Sequence, residues 1–288
     1  MAGSGLWSTQ TYDLLFSHNF IAYSRRITDA CANHVDIQND DSIFEYNIGY
    51  KNEGGFFESM GLSDNNIVRY CVSVDDGQED YGDGERTHHA NTLFLTGYAG
   101  DGERQAPTNI TLYNNLIVST RGVTQYYRFV DKPKRILIAN SMFLVGHGGI
   151  ESLSTIGSDY EREQIAARSN LVGGDANAMA HFTAMLNTTR NERLTASVAK
   201  SYADEAASIV VRYLNETHPS ALEFGELQRR LCNNITEIDE VTSILNSMTP
   251  EALAAAGGEA DFCGTNLTDG NDFIGAIRPS TICKVSAC

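Results

Sequence analysis

The sequence predicts an α+β protein: an N-terminal helix, a strand-rich antiparallel region over about residues 42–145, and a helical C-terminal half over about residues 150–258 with an irregular tail. Two observations predict this order. Before Gly146, short runs of β-branched and aromatic residues alternate with clusters of Gly, Asn and Asp, which is typical of strands and turns. After Gly146, apolar residues recur at helical spacing behind capping residues. The chain therefore divides into residues 1–148 and 149–288, as two domains or as one continuous domain.

The N-terminal helix is predicted over the segment from Thr11 to His34. Polar residues separate its apolar ones at intervals close to the helical repeat, so that one loose apolar face results. The residues of that face are Leu14, Leu15, Ile21, Ile27 and Ala30.

The strand-rich region contains six runs with strong β propensity, separated by turn-forming residues. Arg121-Gly122 predicts a tight turn between two of them. Asp131-Lys132-Pro133 predicts another, because proline fixes one backbone dihedral and donates no ladder hydrogen bond. The six predicted strands are Ile43–Ile48, Ile67–Val74, Thr92–Tyr98, Asn109–Thr120, Val123–Val130 and Arg135–Val145.

The helical half begins with a capping-box pattern, Ser158 with Glu161, ahead of Ile165–Arg168. Its longest amphipathic stripe covers Leu194–Leu214. Four further helices are predicted from their N-cap residues, which are Asp175, Ser220, Thr236 and Thr249.

The charge balance limits the classes of partner. The chain has 37 acidic and 21 basic residues, a formal net charge of -16. Such a negative field repels nucleic-acid phosphates and anionic membrane surfaces, so we expect neither as a direct partner. No run is long and apolar enough for a transmembrane helix, and residues 1–10 have no features of a classical signal peptide.

One histidine suggests an enzyme. His147 lies in Gly146-His147-Gly148-Gly149 at the end of an apolar run, and this resembles the histidine box of caspase-like cysteine peptidases. The resemblance implies a cysteine behind a later apolar strand, and Cys263 is the nearest candidate. The residues before it, 257–260, do not form a strand pattern, so the family is not identified. A hydrolase using His147 with Cys263 or a loop carboxylate stays an alternative.

Two groups of residues suggest stabilising sites. The acidic loop after residue 74 places Asp76, Asp80 and Asp83 near flexible glycines, and such oxygen ligands suit Ca²⁺, although the spacing does not fit an EF-hand. The cysteines of the tail are candidates for a disulfide that pins the C-terminus. These are Cys263, Cys283 and Cys288.

No phosphate loop, nucleophile elbow or zinc-binding motif occurs, so we predict no catalytic or cofactor-binding residue and expect a protein that is not an enzyme. The favoured function is a structural subunit of a multi-subunit particle such as a virus or bacteriophage virion. Its partners would be copies of itself or neighbouring subunits. Besides the hydrolase, a calcium-dependent binding module is the second alternative.

Overall fold

Short parallel strands that stack coil upon coil dominate the part of the chain that the structure describes. The computed structural model describes residues 3–25, 29–77, 91–120, 125–139, 141–145, 161–168, 170–174, 187–189 and 192–216. Within these ranges, every pair of neighbouring strands is parallel. The architecture is a parallel β-solenoid, and the predicted antiparallel α+β fold is wrong.

Three sheets run along the solenoid, and each full coil contributes one strand to each sheet. Sheet 1 contains β1 (Leu6–Ser8), β5 (Cys31–Val35), β9 (Gly55–Ser59), β12 (Asn91–Leu95) and β15 (Gln125–Phe129). Sheet 2 contains β3 (Leu15–Ser17), β7 (Ile43–Glu45), β10 (Ile67–Arg69), β13 (Thr111–Tyr113), β16 (Ile136–Ala139), β18 (Ile165–Arg168) and β20 (Asn187–Thr189). Sheet 3 contains β4 (Phe20–Ala22), β8 (Ile48–Tyr50), β11 (Val72–Val74), β14 (Leu116–Ser119), β17 (Met142–Val145), β19 (Leu171–Gly173) and β21 (Glu192–Leu194). A further pair consists of β2 (Thr11–Tyr12) and β6 (Asn39–Asp40).

The chain turns a corner between each strand of sheet 2 and the following strand of sheet 3. Several predicted strands are therefore split in two. The predicted strand Asn109–Thr120, for example, breaks at Asn114, whose backbone has a φ of 54°. His18, Tyr46 and Tyr70 occupy the same corner with φ between 52° and 59°. Non-glycine residues rarely adopt this left-handed region. Because none of these four corner residues is glycine, no glycine marks the corner in the sequence.

A ladder of buried side chains stabilises this corner. After the first member, the side chain of each member accepts a hydrogen bond from the backbone N–H of the member one coil earlier, at 2.9–3.4 Å. The amide side chains also donate to backbone carbonyls, as Asn115 does to Val68. Because a buried unsatisfied backbone group costs about 1–3 kcal/mol, the ladder makes each turn compatible with burial. We call it the corner ladder, and its members are Asn19, Asn47, Cys71, Asn115, Ser141 and Asn170.

The interior of the solenoid is apolar and rich in aromatic side chains. Phe44 of sheet 2 packs edge to face on Phe57 of sheet 1, with ring centroids 5.8 Å apart. Tyr127 of sheet 1 packs in the same way on Phe143 of sheet 3 at 5.7 Å. Burying each such side chain stabilises the fold by about 1.5–3 kcal/mol, so these contacts hold the three sheets together.

The helix predicted over Leu194–Leu214 is confirmed as α1 (Ala196–Glu216). It packs against sheet 3, mainly on β17 and β19. Three alanines in its buried face, Ala199, Ala203 and Ala206, allow a close approach to the sheet. Among the described residues, no helix combines the length and apolar character needed to cross a bilayer.

The other helical predictions are either wrong or lie outside the described residues. The predicted N-terminal helix is wrong, because its described residues, 11–25 and 29–34, contain β2, β3, β4 and part of β5. Residues 165–168, predicted as helix, form β18. Within the described residues, the second half of the chain contributes one α-helix rather than a helical half. The other predicted helices, with caps at Asp175, Ser220, Thr236 and Thr249, lie outside the described residues. Sheets 2 and 3 continue on both sides of the predicted boundary at residue 148.

Candidate ligand-binding groove

The outer face of sheet 1 carries a column of large polar and aromatic side chains. Because the strands are parallel and in register, one residue from each of the five strands falls in a single row. The residues next to this row along each strand, such as Phe57 and Leu93, face the core. Because successive side chains of a strand point to opposite faces, the column points away from the core. Its members are Trp7, His34, Glu58, Phe94 and Arg128.

A cavity of about 890 Å³ opens along this face. Trp7, His34, Phe94 and Arg128 line it, whereas Glu58 lies buried beneath its surface. A second set of lining residues lies just beyond the strands and comprises Asp36, Met60, Thr96 and Val130. We call this cavity the sheet-1 groove. Its volume is in the range of small-molecule sites.

A cluster of ionisable side chains lies at β5 and β9, the second and third strands of sheet 1. Oxygen and nitrogen atoms of Asp29, His34 and Glu58 lie within 4.8 Å of one another. Nε2 of His34 is 3.9 Å from Oε2 of Glu58. On its other side, Nδ1 of His34 forms a hydrogen bond of 3.0 Å with Oγ of Ser4. The thiol of Cys31 donates to Oε2 of Glu58 at 3.1 Å.

Burial governs the protonation of this cluster. Glu58 is buried, and the loss of hydration raises its pKa to about 8, although the hydrogen bond from Cys31 opposes the rise. Burial also raises the pKa of the Cys31 thiol, and the charge of Glu58 adds to the effect. The pKa of Arg128 is lowered by burial, against the attraction of Glu58. Glu58 is therefore largely protonated at neutral pH and does not act as a full negative charge.

Aromatic rings and cations alternate along the sheet-1 groove. The guanidinium of Arg128 lies over the ring of Phe94, with 5.1 Å between its central carbon and the ring centroid. Arg104 lies over Tyr98 in the same way at 5.2 Å. Such cation–π contacts hold both guanidinium groups over the aromatic rings of the groove.

Trp7 presents the most exposed ring of the sheet-1 groove. More than half of this residue, 56%, is exposed, and its indole N–H donates to Oδ2 of Asp36 at 3.2 Å. This hydrogen bond holds the ring at the surface, where a ligand can stack on its face.

Of the residues predicted from sequence as sites, Asp76 lies within the described residues, and it does not line the groove. Asp76 is buried below sheet 3, where Oδ1 accepts hydrogen bonds of 2.8 Å from the backbone N–H and the amide of Asn52, and Oδ2 accepts from Ser73. The remaining residues of the calcium prediction and those of the hydrolase and disulfide predictions lie outside the described residues. They are Asp80, Asp83, His147, Cys263, Cys283 and Cys288.

Sequence reasoning missed the sheet-1 groove. The helix predicted from Thr11 to His34 places His34 at a helix end, and Glu58 belongs to no sequence motif. In Phe57-Glu58-Ser59 and in Leu93-Phe94-Leu95, the residue of the column stands between two apolar or small residues, and the two triplets align one coil apart. This triplet is the signal that could have identified the column. The triplet is short, and its spacing varies between coils, so it is visible only once the register is known.

No known protein family matches this chain, and no curated protein is significantly similar to it. Fold and groove define it as a parallel β-solenoid with a ligand-sized groove on the outer face of one sheet.

Proposed function

We propose that the protein binds a glycan chain in the sheet-1 groove. The observation that carries this proposal is the groove itself, a cavity of about 890 Å³ with exposed aromatic rings and charged groups along five parallel strands. Neighbouring strands are about 4.8 Å apart, so the column spans about 19 Å from the first strand to the fifth. An extended oligosaccharide fits a groove of this length.

The chemistry of the lining favours a sugar over other polymers. The apolar faces of sugar rings stack on aromatic rings, here Trp7 and Tyr98, and sugar hydroxyls bond to carboxylate and guanidinium groups such as Asp36 and Arg104. Phosphate polymers are disfavoured, because Asp29 and Asp36 line the groove and the chain carries a net charge of -16. A peptide cannot add to the sheet here, because the groove exposes a face of the sheet and not an edge.

Trp7 makes the proposal testable, because it is the only tryptophan of the chain and lines the groove. Its fluorescence should change in a saturable way when soluble oligosaccharides from a panel of neutral and acidic types are added. Trp7→Ala should weaken binding of the responding sugar by about 5–30-fold, measured by calorimetry, since an exposed aromatic anchor contributes on the order of 1–2 kcal/mol.

Tyr12→Ala is the matched control. Tyr12 is exposed to the same degree, 59%, and belongs to the same coil, but it does not line the groove. This variant should bind like the parent protein. A panel in which no sugar binds, or a Trp7→Ala variant with unchanged affinity, would refute the proposal.

A second candidate function is a subunit of an assembled particle, such as a virion. One observation favours it: β1, β2, β3 and β4 of the first coil are terminal strands of their sheets. Within the described residues, no strand pairs with their outer edges, and unpaired edges invite association. Tyr12, Leu15 and Tyr23 are exposed on the same coil. Copies of the chain or neighbouring subunits would cover this end, and the oligomeric state of the purified chain tests the idea.

A further inference from the structure

We propose that Asp29, His34 and Glu58 bind a divalent transition-metal ion of the zinc class in the part of the sheet-1 groove formed by β5 and β9. One imidazole and two carboxyl groups form a ligand set that such ions accept in proteins. Their candidate ligand atoms come from two adjacent strands, β5 and β9, and from the segment that leads into β5. The site does not depend on which ligand occupies the rest of the groove.

The separations are close to those of a bound site. Ligand atoms about 2.0–2.2 Å from a tetrahedral ion lie about 3.3–3.6 Å from one another. Nε2 of His34 and Oε2 of Glu58 are 3.9 Å apart. Each of the three residues has one candidate ligand atom that lies within 4.8 Å of those of the other two. Small side-chain rotations would therefore complete the coordination without moving either strand.

The surroundings of the three residues also suit a metal site. Ser4 holds Nδ1 of His34, so that Nε2 faces the two carboxyl groups. Cys31 donates to Glu58 and fixes the position of that carboxyl group. Metal-binding histidines and carboxylates are oriented by such outer partners, which commonly change the affinity about 10–100-fold. The burial of His34 and Glu58 keeps water away from one side of the ion, and the bound ion replaces the proton of the Glu58 carboxyl group.

Access comes from the groove. Asp29 is half-buried and lines the cavity together with His34, so an ion enters from the solvent side. The three protein ligands leave a fourth position for water or for a groove ligand, which is the pattern of open zinc sites.

The experiment uses the full chain, stripped of metal by dialysis against a chelator and titrated with Co²⁺, whose visible spectrum reports its coordination. Zn²⁺ is then added as a competitor. The parent protein should develop a Co²⁺ band that Zn²⁺ removes. Asp29→Asn should lower the Co²⁺ affinity at least about tenfold, and Ser4→Ala should lower it by about tenfold through the loss of the outer partner. His34→Gln should remove the band.

Asp101→Asn is the control, since Asp101 is an exposed carboxylate that belongs neither to the groove nor to the cluster. Its Co²⁺ affinity should stay within about twofold of the parent value. A parent protein without the band, or a band that persists unchanged in Asp29→Asn, would overturn the proposal. If His34→Gln does not fold by circular dichroism, Asp29→Asn and Ser4→Ala decide, because both residues are only partly buried. The fluorescence test of sugar binding is independent of this result.

Discussion

At the scale of single residues, buried acids make the stability of the protein depend on pH. Asp76 is the clearest case, because burial raises its pKa from 3.8 to about 8, against the hydrogen bonds that it accepts from Asn52 and Ser73. Between these two values the folded chain holds a proton that the unfolded chain releases. The contribution of Asp76 to stability is therefore present at low pH and lost as the pH rises towards 8.

Asp76→Asn should remove this dependence. Asparagine keeps an oxygen acceptor for Asn52 and can donate to Ser73, and it does not ionise. The variant should melt several degrees above the parent protein at pH 8, since 1 kcal/mol corresponds to about 2–4 °C for a chain of this size. The difference should shrink as the pH falls. Melting temperatures measured between pH 5 and pH 8 check this, and a difference that does not vary with pH would contradict it.

At the scale of elements, the corner ladder determines where strands end. Asn115 accepts from the N–H of Cys71 and donates to the carbonyl of Val68, both in the preceding coil. Asn115→Ala leaves the buried N–H of Cys71 without its partner and removes one hydrogen bond to the carbonyl of Val68, so it should lower the free energy of unfolding by about 1–4 kcal/mol. Asn115→Ser should lower it less, because Ser141 shows that a hydroxyl can serve as the acceptor at this corner. Urea denaturation of both variants measures the order, and equal losses would contradict it.

The corner ladder also explains which elements the sequence could predict. The α1 helix was predictable because its apolar stripe is local and 21 residues long. The coils were not, because successive members of the ladder are 28, 24, 44, 26 and 29 residues apart, so no fixed repeat appears. Residues 11–22 resembled a helix because apolar residues of three very short strands fall near helical spacing. The left-handed turns at Asp13 and His18, which break that helix, are not marked by glycine.

The candidate site was invisible for a related reason. His34 and Glu58 are 24 residues apart, and only the parallel register of β5 and β9 makes them neighbours. Neither residue lies in a motif, and the groove exists only when five strands are aligned. The acidic net charge, by contrast, is a property of composition and could be read directly.

At the scale of the whole molecule, the first coil determines whether the solenoid associates. Its strands have unpaired outer edges within the described residues, and Leu15 of β3 is 61% exposed there. A lysine on an edge strand opposes pairing with another chain, because its charge would be buried on association. If this end is an assembly surface, Leu15→Lys should shift the purified chain from larger species towards the monomer.

Val211→Lys on α1 is the control for that experiment, because Val211 is also exposed and apolar, at 38%, but lies away from the first coil. Light scattering coupled to size-exclusion chromatography, at several protein concentrations, measures the masses of both variants and of the parent. The assembly function predicts that only Leu15→Lys lowers the mass. A parent chain that remains a monomer at high concentration would remove the assembly function, while the groove and its proposed glycan would be unaffected, since Leu15 does not line the groove.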